Sequence, residues 1–225
     1  MVFFDIGSTL IEGPPSGPAQ RLAELLSLDR AAVAELRTLL FRTDPGGPEG
    51  LDVLLAGRFA VDPGRAREAA AALWRAQLEE AYVLPGAAEA LGRLCAAGIP
   101  RGYLSNIWPP FYERFAREFP EEAASPATFL SFRTGLLKPD PEAFRRALAS
   151  CGADPGSSVM VGDTYENDIA PALALGMRAI WVLHRPAKEK RDLARVMNGE
   201  AAAPDLTLVS IGELLPEQIL RLAGR

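Results

Sequence analysis

The hydrophobic positions of the chain fall into three successive regimes. VFFD (2–5) is a short apolar run that ends on a carboxylate, a strand pattern closed by the breaker cluster EGPPSGP at 12–18. From about 17 to 82 the apolar residues recur at spacings of three and four: Val33, Leu36 and Leu40 share a face, as do Ala70, Leu73, Trp74, Leu78 and Ala81. That period predicts about four helices, with TDPGGP (43–48) and VDPG (61–64) placing Asp or Thr before Pro where helices are expected to start. After LPG at 84–86 the pattern alternates. It predicts a helix over 87–97 with Leu91, Leu94 and Cys95 on its stripe, the strand-like run IPRGYLSN, and a helix through FYERFAREF. A strand ATFLSF (127–132), a helix 141–150, a strand SVMVGD (158–163), a helix 168–175 and a strand RAIWVL (178–183) follow. In the tail, LTLVS (206–210) is a candidate short strand and IGELLPEQILRL a candidate closing helix.

Strands alternating with helices of this length imply a parallel sheet wound with right-handed crossovers. The expected fold class is therefore α/β, a Rossmann-like core with helices on both faces, interrupted by an all-helical cap. The expected division is a core of residues 1–12 and 84–225 and a cap of residues 13–83. In such sheets the chemistry gathers at the carboxyl ends of the strands, near the switch in strand order. Asp5, Ser105 and Asp163 each stand at such an end.

Composition narrows the classes further. With 225 residues, 48% hydrophobic and 24% charged, the chain is long enough for a sizeable core or a core with a smaller second domain. The net charge of −5 supplies no global attraction to nucleic acid or to an anionic membrane, so neither is expected as a partner. There is no charged-then-apolar leader and no apolar run approaching about 18 residues, which predicts a cytoplasmic chain. Cys95 and Cys151 form no CxxC pair and are expected to be small core residues.

The strand ends would bring together Asp5, Ser105 with Asn106, Lys138 from the loop LLKPDPEAF, and Asp163 and Asp168 from VGDTYEND. Three carboxylates beside one ammonium are costly to bury, because like charges raise each other's pKa and desolvation adds to the penalty. A bound Mg²⁺ resolves that conflict with hard oxygen ligands while keeping positions for water and substrate phosphate. In order along the chain, FFDIGSTL, YLSN, LLKPDPEAF and VGDTYEND resemble the four motifs of the haloacid dehalogenase-like (HAD) hydrolase superfamily, phosphatase branch, with a helical cap after the first motif. The resemblance implies that Asp5 is a nucleophile forming an aspartyl-phosphate and that Ser105, Asn106 and Lys138 hold the phosphoryl oxygens. It implies Mg²⁺ bound by Asp5, the backbone carbonyl of Gly7, and Asp163, with Asp168 a further or water-mediated ligand. Asn106 and Asn167 would orient these groups. The substrate would be a small phosphorylated metabolite, and the protein a monomer or homodimer.

Gly7 departs from the pattern. Phosphatases of the family usually carry there a second aspartate that protonates the leaving alcohol, a contribution of about 10²- to 10⁴-fold. Three readings stay open on the sequence: a Mg²⁺-dependent phosphohydrolase that is slow or selective for good leaving groups, a weak or inactive metal-binding or interaction protein, and a 2-haloacid dehalogenase-like enzyme with Arg42 binding the halide or carboxylate. A phosphonate-cleaving enzyme would need a cap lysine, and the lysines are Lys138, Lys188 and Lys190. A replacement acid would have to come from Glu12, Asp44, Glu49 or Asp52; His184, outside every motif, is expected to be structural or on the surface.

Overall fold

The computed structural model describes residues 1–224. Its strands are β1 (Val2–Phe4), β2 (Ile11–Glu12), β3 (Tyr82–Val83), β4 (Arg101–Ser105), β5 (Thr128–Leu130), β6 (Val159–Gly162), β7 (Arg178–Val182) and β8 (Leu206–Leu208). The helices are α1 (Pro18–Leu26), α2 (Ala32–Arg42), α3 (Pro48–Phe59), α4 (Pro63–Glu80), α5 (Ala87–Ala96), α6 (Pro109–Glu118), α7 (Pro120–Ala123), α8 (Ser131–Thr134), α9 (Pro141–Ser150), α10 (Ala170–Ala174), α11 (Lys190–Met197) and α12 (Pro216–Leu222). Six strands form one parallel sheet in the order β5-β4-β1-β6-β7-β8, so the chain starts in the middle, builds outward on one side and then crosses to the other. This is the Rossmann-like α/β architecture that the alternating pattern predicts.

Strand β1 is buried on both faces, as a central strand of a covered parallel sheet must be. Val2 and Phe4 pack into one apolar cluster with α5 and α6, while Phe3 points the other way into a second cluster with α9 and Trp181. Helices α1–α4 fall between β2 and β3, which pair antiparallel and carry the chain out of the sheet and back. The four helices have their own apolar cluster, built from Leu22, Leu36, Leu40, Leu55 and Leu73 among others, and Trp108 from the start of α6 inserts into it. Trp108 also donates from its indole nitrogen to Gln77 Oε1 at 3.0 Å, and Arg114 donates to the Leu78 carbonyl at 3.0 Å, so α4 and α6 form the joint between helices and sheet.

Several local expectations need correction. Helix α4 starts at Asp62-Pro63, with the Asp62 side chain accepting from the Arg65 amide, but α3 starts at Pro48 rather than Pro45 because Asp44 closes a turn onto the Gly46 amide. ATFLSF is strand only to Leu130; Ser131 bonds back to Ile107 through its hydroxyl and the chain turns into α8. The segment 168–175 begins instead as a wide π-type turn over Tyr165–Ile169 that leads into α10. The closing helix is only α12, preceded by a short turn at Ile211–Glu213. Cys95 is exposed, beside its helix's apolar stripe rather than on it, whereas Cys151, half-buried just past α9, packs against the edge of the cluster that holds Phe144 and Leu148. No helix among the described residues is long and apolar enough to cross a membrane.

Because both faces of β1 are covered, Phe4→Ala is expected to cost about 3 to 4 kcal/mol in urea unfolding. Val53→Ala, on an exposed face of α3, should stay within about 0.5 kcal/mol of the native chain.

Candidate active site

Three neighbouring strands, β4, β1 and β6, end together at one edge of the sheet. The Asp5 amide donates to the Val161 carbonyl at 2.9 Å, which extends the ladder by one residue and projects the Asp5 carboxylate just beyond it. Ser105 closes β4 and Asp163 follows β6. Lys138 comes from the loop after α8, where Asn106 holds its backbone at both ends: the Asn106 amide donates to the Lys138 carbonyl at 2.7 Å and its oxygen accepts from the Lys138 amide at 2.8 Å. The Lys138 Nζ then lies 3.0 Å from Asp5 Oδ1 and 2.5 Å from Asp168 Oδ1. Asp168 reaches it from the wide turn, its other oxygen accepting from the Thr164 amide at 3.0 Å.

The predicted residues are therefore brought together. Ligand oxygens of Asp5, Asp163 and Asp168 lie within 4.8 Å of one another, and these three groups could hold a divalent cation. The electrostatics fit such a guest. Burial raises the pKa of Asp163 well above the ordinary carboxylate range, and the neighbouring charges of Asp168 and Asp5 raise it further; Arg185 opposes this without cancelling it. Burial also pushes Asp168 up to about 6, with Lys138 opposing and Asp5 reinforcing. For Lys138, burial works to lower the pKa, but Asp168 and Asp5 outweigh it and hold the ammonium above its usual value. The hydroxyl of Ser105 is buried with no hydrogen-bond partner and remains free to bind a ligand oxygen.

Asp5, Lys138 and Asp163 open into a cleft of about 300 Å³ that is also lined by Gly7, Glu12, Asn106, Asn167, Phe41, Gln77, Trp108, Phe111, Arg185 and Lys188, with Ser105 and Asp168 buried behind its wall. Sequence reasoning missed Arg185, which pairs with Asp163 Oδ2 and reaches Glu12 at 3.4 Å, because no motif covers the loop after β7. Of the four candidate replacement acids only Glu12 reaches the cleft. Asp44 and Glu49 are exposed, Asp52 pairs with Arg67 at 3.4 Å, and none of these three lines the cleft. Burial would raise the pKa of Glu12, but His184, Arg185, the Gly13 amide and Ser8 together hold it below the usual value. His184 thus has a structural partner, 3.3 Å from Glu12 Oε2. Arg42 is exposed and does not line the cleft.

The model of the haloacid dehalogenase-like hydrolase family matches residues 1–176. A phosphoserine phosphatase from Thermus thermophilus is 34% identical over 127 residues, 53% of this chain and about half, 48%, of that protein's length. A phosphoglycolate phosphatase from Rhodospirillum rubrum is 30% identical over 210 residues, 84% of this chain and 81% of that one. The crystal structure of a HAD hydrolase, family IA, variant 3, from Entamoeba histolytica shares the fold with a TM-score of 0.65 at 16% identity, covering 100% of this chain and 99% of that one.

The raised carboxylates set the sign of a pH dependence. Between the unfolded value of 3.8 and about 6, folded Asp168 keeps a proton that the unfolded chain has released, so stability is lost as pH rises through that window; Asp163 acts in the same direction. In chelating buffer, unfolding free energy should fall by about 1 to 3 kcal/mol between pH 4.5 and 7. Asp163→Asn should flatten the slope. The lowered Glu12 and raised Lys138 act below and above the window respectively.

Proposed function

The chain belongs to the haloacid dehalogenase-like hydrolase family, and from that premise we propose that it is a Mg²⁺-dependent phosphohydrolase acting on a small phosphorylated metabolite through an aspartyl-phosphate at Asp5. The observation that carries the reading is the meeting of Lys138 with Asp5 and Asp168, beside Asp163 and an unpartnered Ser105 hydroxyl, at the ends of three adjacent strands. The two curated relatives named above are both phosphatases.

In this reading an oxygen of Asp5 attacks phosphorus in line and the bond to the leaving oxygen breaks. Ser105 Oγ donates to one phosphoryl oxygen, and Lys138 Nζ both donates to another and offsets the charge of Asp5. Asn106 positions Lys138 through its backbone, and Asp168 fixes the ammonium from the far side. Asp5, the carbonyl of Gly7 and Asp163 would hold Mg²⁺, with Asp168 a further or water-mediated ligand, and the ion would supply positive charge to the phosphoryl group. Water then attacks the phosphorus of the acyl phosphate, releasing inorganic phosphate and restoring Asp5. The helical segment 13–83 contributes Phe41 and Gln77 to the cleft wall and acts as a cap whose closure excludes bulk water.

Gly7 removes the side chain that would shuttle protons, and Glu12, held ionised, is no substitute as an acid. Turnover is accordingly slow on poor leaving groups. The same observation favours the second reading, a member of the fold that binds metal without turnover. The dehalogenase reading lacks support, since Arg42 is exposed and does not line the cleft and the acidic pair Asp163 and Asp168 is present.

Acetyl phosphate, whose leaving group requires no protonation, separates these readings. Mg²⁺-dependent hydrolysis abolished by EDTA, reduced at least about 10³-fold in Asp5→Asn and about 10²-fold in Ser105→Ala is the expected result. No hydrolysis of acetyl phosphate or of a broad panel of phosphate esters would establish the non-catalytic reading instead.

A further inference from the structure

The space beside Gly7 is already occupied. A Cβ at position 7 would meet Phe111 Cε1 at 3.2 Å, tighter than ordinary packing contacts, and the other edge of the same ring would sit 3.5 Å from a Cβ at Gly13. The outer edge of the Phe111 ring therefore lies against two backbone segments, the turn after β1 and the start of the cap. The segment before it is anchored: Pro109 and Pro110 open α6, Trp108 before them is buried in the cap's apolar cluster and bonded to Gln77, and Trp74 packs edge-on against Trp108 at 5.8 Å. Phe41 and Trp108 line the same cleft. Where a proton donor would be needed, the wall is aromatic.

Each ionisable group lining the cleft has another engagement or is too exposed to serve as a placed acid. Asp5 is the nucleophile of the proposed reaction, Lys138 is shared between Asp5 and Asp168, and Asp163 is paired with Arg185. Glu12 accepts from Ser8, the Gly13 amide and Arg185 and faces His184, while Lys188 is exposed. The leaving oxygen must then depart as an anion, which an alcohol does poorly and a phenol readily, its pKa being near about 10. A ring attached to that oxygen also meets a complementary surface, since offset stacking on Phe111 adds specific binding beyond burial.

We propose that the substrate is an aryl phosphate, a phosphate monoester of a ring-bearing, acidic hydroxyl, whose ring stacks on Phe111 while its oxygen leaves unprotonated. This rests on the phosphohydrolase reading above. The balance is simple: Asp5 Oδ forms the bond to phosphorus, the bond from phosphorus to the aryl oxygen breaks with its electron pair on oxygen, and solvent protonates the released phenolate. Phe111 is the residue that determines specificity, and it touches the substrate.

The test measures kcat/KM with Mg²⁺ for phenyl phosphate, p-nitrophenyl phosphate, glycerol phosphate and acetyl phosphate, the last having a good leaving group and no ring. In the native chain phenyl phosphate should exceed glycerol phosphate by at least about 10²-fold, the usual worth of the missing acid. The ratio of phenyl to acetyl phosphate should drop about fivefold or more in Phe111→Leu, and be kept in Phe111→Tyr, which preserves the ring. Comparable turnover of phenyl and glycerol phosphates, or a phenyl-to-acetyl ratio unmoved in a folded Phe111→Leu, overturns the inference and leaves the phosphohydrolase standing. Failure of all four compounds, acetyl phosphate included, overturns the phosphohydrolase reading and the inference with it.

Discussion

The buried ammonium of Lys138 is the constraint around which the rest of the site is arranged. At 4% exposure it touches Asp5 on one side and Asp168 on the other, so each charge makes the others tolerable in a place where a lone ion would cost several kcal/mol. The match is incomplete, because three carboxylates converge on one ammonium, and burial together with the excess negative charge raises the pKa of Asp163. Arg185 relieves part of it from the loop after β7, but that guanidinium is shared with Glu12. A site with such a surplus of negative charge has a thermodynamic appetite for protons or for a cation. Its stability and its ligand affinity therefore respond to the same charges.

The backbone exists to hold that arrangement. Parallel strands β4, β1 and β6 deliver Ser105, Asp5 and Asp163 to a common edge because their register aligns their ends, with Phe4 opposite Tyr103 and Val161. Lys138 and Asp168 come from segments with no ladder to fix them, and each is held by other means: Asn106 grips the backbone of Lys138, and the wide turn at Tyr165–Ile169 swings Asp168 back over β6. The turn requires Gly162, since a Cβ there would fall 2.4 Å from Asp168 Cγ. The glycine before Asp163 is thus part of the electrostatics, because without that close approach Asp168 could not reach the ammonium.

Much of this was legible in the residue pattern because it depends on local rules. Short apolar runs and apolar spacings of three and four located the sheet and the helical segment, and Asp62-Pro63 marked a helix start that the structure realises with the Asp62 carboxylate as its cap. The motif residues were readable as a set because strand ends are where a parallel sheet collects its polar groups. What escaped depends on contacts distant in sequence. Arg185 lies outside the motifs and gains its meaning only from Asp163 and Glu12, and the β2–β3 pair joins residues about seventy positions apart through two residues on each strand, too short to leave a pattern. Cys95 failed for a different reason: one step around a helix separates a buried position from an exposed one, and Leu94 took the inward side.

Gly7 shows most clearly how a third dimension changes the reading of one residue. In the sequence it is a missing aspartate, a local deletion of function that a single substitution would repair. In the folded chain it is half of a contact, with the Phe111 ring pressed against the backbone that the aspartate would have left. A side chain placed there would press on Phe111 Cε1 at 3.2 Å from its Cβ, so the ring, which follows two prolines and a tryptophan bonded to Gln77 of α4, would have to yield by a few tenths of an ångström. In the proposed reaction an apolar wall there would keep water from the reacting phosphorus and so strengthen the field of Lys138. The missing acid and the aromatic wall then occupy one place in the fold, and in the proposed reaction both favour electrostatic stabilisation of a leaving group that can carry its own charge over proton transfer.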